Sequence, residues 1–513
     1  MHSAHRGTSP RATKWSILLA MLTLAFISVC AVCVRYHPQW PEGKVTTRPA
    51  DSGAVEKSYV LDAGSKASYT QRIENGRVTA LLFDDNGDGV PDETVSLLSD
   101  HPDWPHFLII LDGVPFDVVE ATYNEGHFRL FPPPVRVVSV FPAMTDVALS
   151  RVFHTKPCFG GEAQYFDRAK NRLSDGDSVY LSGKNAPWLP FVDYAAPQSV
   201  AIRTYIDPLS VFSEELRGMQ TLFEKADAPQ ASGYSIGTAG LGTRGGEKAM
   251  REYLVEVEKL VERITYERRG RVRFSLTADH GQTMQQETPI TFDKPLEDAG
   301  FKLTSSIHGK NDVVVVTYGI VTLVALSTDR PEAVADALVA APGADLVTYK
   351  EQDGVIVRNA EASAIVRKSG DGYVYEPTKG DPLELNPIIE RLRAAGQVSA
   401  DGVIADRPLL AATATHKYPD PLHRLWDCYH GLVQNQADVI VSLKPDACHG
   451  RKLFYLVVNP VASTHGGLDY RGSVTYLLST AKSTPLPAVM RSEDVLDAIG
   501  WELKADNAAV EQQ

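Results

Sequence analysis

The stretch HFLIILDG, residues 106–113, constrains the fold more than any other part of the chain. It is a continuous apolar run that stops abruptly at Asp-Gly. A strand with one wet face alternates apolar and polar residues. A run that is apolar throughout belongs to a strand buried on both faces, as in sheets covered by helices on each side. Similar runs recur at 271–278, 313–326, 437–443, 453–459 and 473–479. Between some of them lie amphipathic patterns, the clearest being GEKAMREYLVEVEKLVERI at 246–264, with apolar residues at threes and fours and charges between them. Buried strands alternating with such helices predict an α/β domain over 104–490, built on a mostly parallel sheet with helices on both faces. Residues 285–415 mix short strands, turns and one helix and read as a smaller inserted lobe. Residues 491–513 read as a C-terminal helix and tail.

Ahead of this domain, residues 15–34 (WSILLAMLTLAFISVCAVCV) form an apolar stretch of about 20 residues, enough to cross a bilayer as a helix. Arg6, Arg11 and Lys14 precede it, and only Arg35 and Lys44 follow closely. The positive-inside bias leaves residues 1–14 in the cytoplasm and the remainder extracytoplasmic, periplasmic or extracellular. A cleaved signal peptide is the alternative, but no small-x-small cleavage site follows the run. The expectation is a single-pass membrane protein with an uncleaved anchor. Residues 35–57, polar with Pro and Gly, read as a linker.

Outside the membrane, disulfides can persist, and Cys428 and Cys448 could pair there, leaving Cys158 as an odd thiol. With 51 Lys and Arg against 64 Asp and Glu, the net charge of −13 argues against nucleic-acid binding. It does not exclude an anionic substrate, because a bound cation reverses the local sign.

Residues 58–103 read as an N-terminal strand region. The strand GRVTALLF at 76–83 leads into DDNGDGVPDE, where Asp84, Asn86, Asp88 and Asp92 have the spacing of a structural calcium loop with Gly89 at its turn. The bidentate acid such a loop requires is absent, since Val95 stands in its place, and an Asn-Gly/Asp-Gly hairpin turn accounts for the same letters.

Ligands of open α/β sheets gather at the carboxyl ends of strands. Asp112 ends the first strong run, and Asp279 and His280 end a later one in LTADHGQT. His465 lies in ASTHGGLDYRGS, beyond the run at 453–459. Thr145 lies in FPAMTDVALSRVF, where an extended segment becomes helical. A hydroxyl at a helix N-terminus sees free N–H groups and the positive end of the dipole, which suits a nucleophile that attacks a phosphoryl group. HKYPDPLHRLWDCYHG at 416–431 adds His416, His423 and His430, readable as a third metal site or as a helix packing the lobe.

In order along the chain, LIILDG, FPAMTDVALSRVF, GLGTRGGEKAMREYLVEVEKLVERI, TADHG and STHGG resemble the alkaline phosphatase superfamily, in particular its type I phosphodiesterase/nucleotide pyrophosphatase branch, over about 104–481. The resemblance implies a phosphoric-ester hydrolase with two neighbouring divalent cations, usually zinc. Asp112, Thr145, Asp279 and His280 would surround the first cation, Thr145 would also be the nucleophile, and His465 would bind the second.

The sequence departs from this pattern at one place. Where the family has an Asp and a His for the second cation, the stretch GTAGLGTRGGE at 237–247 has Ala239 and Thr243. Three readings follow. Asp207, Glu214 or Glu247 supplies a carboxylate from nearby, Arg244 supplies positive charge in place of the cation, or catalysis is lost and the domain binds a ligand or partner in the same cleft. The leading expectation is a membrane-anchored, metal-dependent hydrolase of phosphoric esters with a degenerate second site.

Overall fold

The computed structural model describes residue 40 and residues 44–50, 53–60, 68–99, 101–481 and 486–503. The expected cytoplasmic segment and membrane anchor lie outside the described residues. Among those described, no helix is long and apolar enough to cross a membrane.

The chain begins with five strands, β1 (Val45–Pro49), β2 (Val55–Val60), β3 (Ser68–Glu74), β4 (Arg77–Asp84) and β5 (Glu93–Ser96), paired in sequence order as an antiparallel sheet. The stretch expected as a linker thus supplies β1 and the start of β2. Its polar letters are compatible with an edge hairpin, and β1 is exposed along its whole length. The loop between β4 and β5 joins two antiparallel strands over residues 85–92. Both Asp84 oxygens accept backbone N–H groups, from Gly87 and Gly89, while Asp92 accepts from Asp85 and Asn86. Asn86 and Asp88 likewise close short turns on Asp88 and Val90.

The central sheet contains β6 (His106–Leu111), β7 (Val135–Val138), β8 (Tyr194–Ala195), β9 (Gln230–Ser235), β10 (Arg273–Ala278), β11 (Val474–Ser479) and β12 (Val489–Arg491). Their order is β8-β9-β6-β10-β11-β7-β12, and every strand runs the same way except β11. β6 sits among its neighbours with every residue buried, as its apolar run predicts. Phe107, Ile109 and Leu111 face one core with helices α1 (Phe116–Asn124), α3 (Pro208–Lys225) and α4 (Gly237–Glu267), while Leu108 and Ile110 face another with α2 (Thr145–Val152) and residues of the C-terminal helix. Burying each of these side chains contributes about 1.5–3 kcal/mol. α4 begins nine residues before the expected 246–264 helix and is kinked at Gly246, whose φ of 61° only glycine adopts readily.

The runs at 313–326 and 437–443 are not in this sheet. They form Asp312–Val316, Leu323–Thr328 and Val439–Leu443 of a separate nine-stranded sheet spanning Lys302–Leu443, antiparallel except at one edge. It too is covered on both faces, with Leu323 and Ala325 in one core and Val324 and Leu326 in another. An antiparallel strand buried on both faces reads as the same continuous apolar run, so the lobe is larger than the expected 285–415. The run at 453–459 is a short helix, Phe454–Val457, rather than a strand. The 416–431 stretch supplies α5 (Pro421–Tyr429), whose Leu422, Leu425 and Cys428 pack into the lobe core. Cys158, Cys428 and Cys448 are all free and buried, so the expected 428–448 pairing is not made.

Candidate active site

Register builds the site. Leu111 of β6 pairs with Ala278 of β10 and with Ser235 of β9, so the three parallel strands end level. Neighbouring strands lie about 4.8 Å apart, and the next residues, Asp112 and Asp279, therefore emerge side by side. Gly113 turns the chain at φ 66°, and a Cβ there would meet the Gln282 Nε2 at 2.5 Å. Its N–H donates to Asp279 Oδ1 at 2.9 Å, as does the His280 N–H at 2.8 Å. Among the described residues none donates a hydrogen bond to Asp279 Oδ2, which lies 3.3 Å from His280 Nε2. On Asp112, Oδ2 accepts the Tyr234 hydroxyl at 2.5 Å, while Oδ1 has no partner.

His280 Nδ1 lies 2.9 Å from the Gly281 carbonyl, which can only accept, so that nitrogen carries the proton and Nε2 presents its lone pair. The Nε2 lies 3.3 Å from Thr145 Oγ1, which is also 3.4 Å from Asp112 Oδ2. Thr145 is the first residue of α2, after Met144 in extended conformation, and no side chain caps that helix. The helix start is fixed instead from below. Asp146 accepts Trp188 Nε1 and Asn185 Nδ2, each at 3.0 Å. Burial pushes the Asp146 carboxyl up to about 6.

Donor atoms of Asp112, Asp279 and His280 lie within 4.8 Å of one another, the one such gathering of three among the described residues. All three side chains are buried, and Thr145 is half-exposed above them. Burial, and then the Asp279 charge, raise Asp112 well above the usual carboxylate range; burial raises Asp279 to about 6 and lowers His280 to about 4. Two buried carboxylates, each with an oxygen left without a partner, and a neutral imidazole lone pair make an arrangement that a divalent cation would satisfy. The O,O,N donor set fits zinc.

The other expected ligands are placed differently. His465 donates from Nδ1 to the Ala143 carbonyl at 2.7 Å, and its ring stacks on His280 with centroids 4.0 Å apart. Among the described residues, no gathering of three acid, histidine or cysteine donor atoms includes it. Ala239 is buried, and the Thr243 hydroxyl donates to the Ala239 carbonyl one helical turn back. Gln282, fully buried, lies against Gly242 and donates weakly to the Ala239 carbonyl at 3.3 Å, with its Oε1 unpartnered.

The nearby acids face elsewhere. Asp207 caps α3, Glu214 pairs with Arg203, and Glu247 pairs with Arg471. Arg244 does not supply the missing charge: it is exposed, and its guanidinium binds the carbonyls of Tyr205, Ile206 and Val457. The three histidines of 416–431 do not converge either. His416 accepts from the Tyr418 N–H, His423 meets the Tyr373 hydroxyl, and His430 lies just beyond α5, stacked on Trp426.

Sequence reading missed Tyr234 and Gln282. A tyrosine in the short, mostly small and polar strand QASGYS carries no local signal, and only the pairing of β9 with β6 places it against Asp112.

No protein-family model and no curated protein matches the chain. Among solved structures it is similar to the human ectonucleotide pyrophosphatase/phosphodiesterase 5, with 12% identity and a TM-score of 0.44, over 78% of this chain and 96% of that one. The murine counterpart gives 12% identity and a TM-score of 0.43 over the same shares. A phosphonoacetate hydrolase from Sinorhizobium meliloti 1021, in complex with phosphonoformate, gives 12% identity and a TM-score of 0.42 over 80% of this chain and 97% of that one.

Proposed function

We propose that the protein is a metal-dependent hydrolase of phosphoric esters that works with one divalent cation and uses Thr145 as its nucleophile. The observation that carries this reading is the convergence of Asp112, Asp279 and His280 beneath the Thr145 hydroxyl, with two buried carboxylate oxygens left unpartnered. When bound, a divalent cation would lower the pKa of a neighbouring hydroxyl and offset phosphoryl charge. Asp112, Asp279 and His280 would hold it, and Tyr234 and Gly113 keep the two carboxylates aimed. Thr145 Oγ1 would form the bond to phosphorus as the ester P–O bond breaks and the alcohol leaves. Water would then release phosphate and restore the hydroxyl. The uncapped first turn of α2 offers N–H groups and a positive dipole end to the anion.

The residues beside His465 do not fit a second cation, and no step runs through one. Losing it removes several kcal/mol of transition-state stabilisation, so turnover should be slow. The same vacancy of ligands at Ala239 and Thr243 favours the second reading, a catalytically inactive domain that binds a ligand or partner in this cleft. The apolar run at 15–34 supports a membrane-anchored, extracytoplasmic setting within the same proposal.

The test is metal content and turnover of the purified protein after chelation and reloading with zinc. One zinc per chain and zinc-dependent hydrolysis of p-nitrophenyl phosphate or bis(p-nitrophenyl) phosphate are expected. No bound metal together with no hydrolysis of either ester would leave the binding domain as the better account.

A further inference from the structure

We infer that Arg424, carried by α5 of the lobe, is a positioning residue that holds the two active-site loops, those of Thr145 and His465, in register; this rests on the function proposed above. Arg424 is 2% exposed, and its planar fork reaches three chain segments. Nη1 donates to the carbonyls of Pro419 at 3.1 Å and Leu468 at 3.2 Å. Nη2 donates to the Val140 carbonyl at 3.0 Å and to Ser473 Oγ at 2.6 Å. Val140 lies just before Thr145 in the chain, and Leu468 and Ser473 just after His465.

From there the contacts reach the cradle. The Ser139 N–H donates to the Ser473 carbonyl at 2.9 Å, and Ser139 Oγ donates to the Asp279 carbonyl at 2.6 Å. The lobe sheet grips the same loop independently. Thr322 N–H donates to the His465 carbonyl at 2.7 Å, Gly467 N–H to Thr322 Oγ1 at 2.8 Å, and Leu468 N–H to Ser442 Oγ at 3.0 Å.

A buried cation held by neutral acceptors is costly unless its geometry is good. Neutral acceptors define direction rather than cancel charge, so the arrangement fixes where the loops sit. Lysine would keep the charge but present its donors from a single point, and so could not span all these acceptors. The lobe is thus part of the site's framework rather than only a cover over it.

The experiment uses the full chain, zinc-loaded, as wild type, R424K and S473A. In R424K, kcat on bis(p-nitrophenyl) phosphate should fall roughly tenfold or more, with KM within about threefold, as displacement of a reacting group predicts. S473A should move kcat the same way by less. Histidine-ring NMR supplies a readout that needs no turnover: the His465 signal should shift or broaden in both variants while that of remote His101 stays fixed.

An inactive wild type would count against the proposed function, and the NMR comparison would then judge Arg424 alone. An unmoved His465 signal in a folded variant, or an unchanged kcat in an R424K that hydrolyses ester, overturns the inference. If R424K fails to fold, S473A decides.

Discussion

The two sides of the candidate site differ in one respect that has little to do with order. His465 is fixed as firmly as His280, each by a carbonyl on Nδ1 and by the ring of the other. Yet His280 stands with two acids and a hydroxyl, whereas the positions that the resemblance pairs with His465 hold an alanine and a threonine turned back onto its own helix, with a glutamine against them. A buried imidazole alone is no metal site. What distinguishes the cradle is that the second atom of each acid is already held, by Tyr234 or by Gly113 and His280, while the first is left with nothing. At the 239–243 turn the Ala239 carbonyl is already taken, by the Thr243 hydroxyl and the Gln282 amide.

This contrast can be broken most directly at the hydroxyl. Thr145→Ala should lower ester hydrolysis at least about a thousandfold while zinc affinity stays within about tenfold. Initial rates and calorimetry on the same protein check both, and unchanged turnover would remove Thr145 as nucleophile. Asp279→Asn should weaken zinc binding at least about a hundredfold, because it removes the charge that the bound cation faces. Calorimetry showing wild-type affinity would mean the cation sits elsewhere.

The empty-handed side can be rebuilt. The variant A239D/T243H/Q282A should raise the metal count from one to two per chain and speed hydrolysis by roughly tenfold or more. A count that stays at one would show that more than these three residues separate the two sides.

The smallest effect lies outside both sides, where His423 of α5 meets Glu493 at 3.4 Å. Burial opposes the charge on each, but the mutual hydrogen bond prevails. It raises His423 above its usual 6.5 and, with Arg151 and Arg491 nearby, lowers Glu493 from 4.5 to about 2. The raised histidine contributes stability that is complete below its unfolded value and fades as pH rises through the folded one. The depressed glutamate contributes stability that is complete above 4.5 and fades as pH falls towards 2. Wild type should therefore exceed E493Q by on the order of 2 kcal/mol between about pH 4.5 and 6.5, and by less at pH 8. Thermal midpoints across that range measure it, and a pH-independent difference would contradict the pairing.

Much of the candidate site was legible because its residues sit where local pattern changes. Asp112 and Asp279 each end an apolar run, and Thr145 begins a helix. The departure from the family pattern at Ala239 and Thr243 was legible too. What escaped was everything fixed by non-local pairing. The runs at 313–326 and 437–443 looked like central strands because double-sided burial reads identically in either sheet. Arg424 hid among the histidines of 416–431, which drew attention by residue type although they do not meet. Arg244 looked like a substitute cation by proximity in sequence, but its position on α4 directs it to the carbonyls of Tyr205 and Val457.

The three unpaired thiols are placed to report on this framework from within. Cys158 Sγ lies 3.1 Å from Ser150 Oγ on the helix that begins at Thr145, Cys428 sits on α5 beside Gln436, and Cys448 contacts the Tyr455 hydroxyl. Each is sealed from solvent, so a thiol reagent can modify it only when that part of the molecule opens. The rates at which they are modified would therefore rank the breathing of the helix that begins at Thr145, the lobe brace and the strand beside the His465 loop, with no substrate or metal needed.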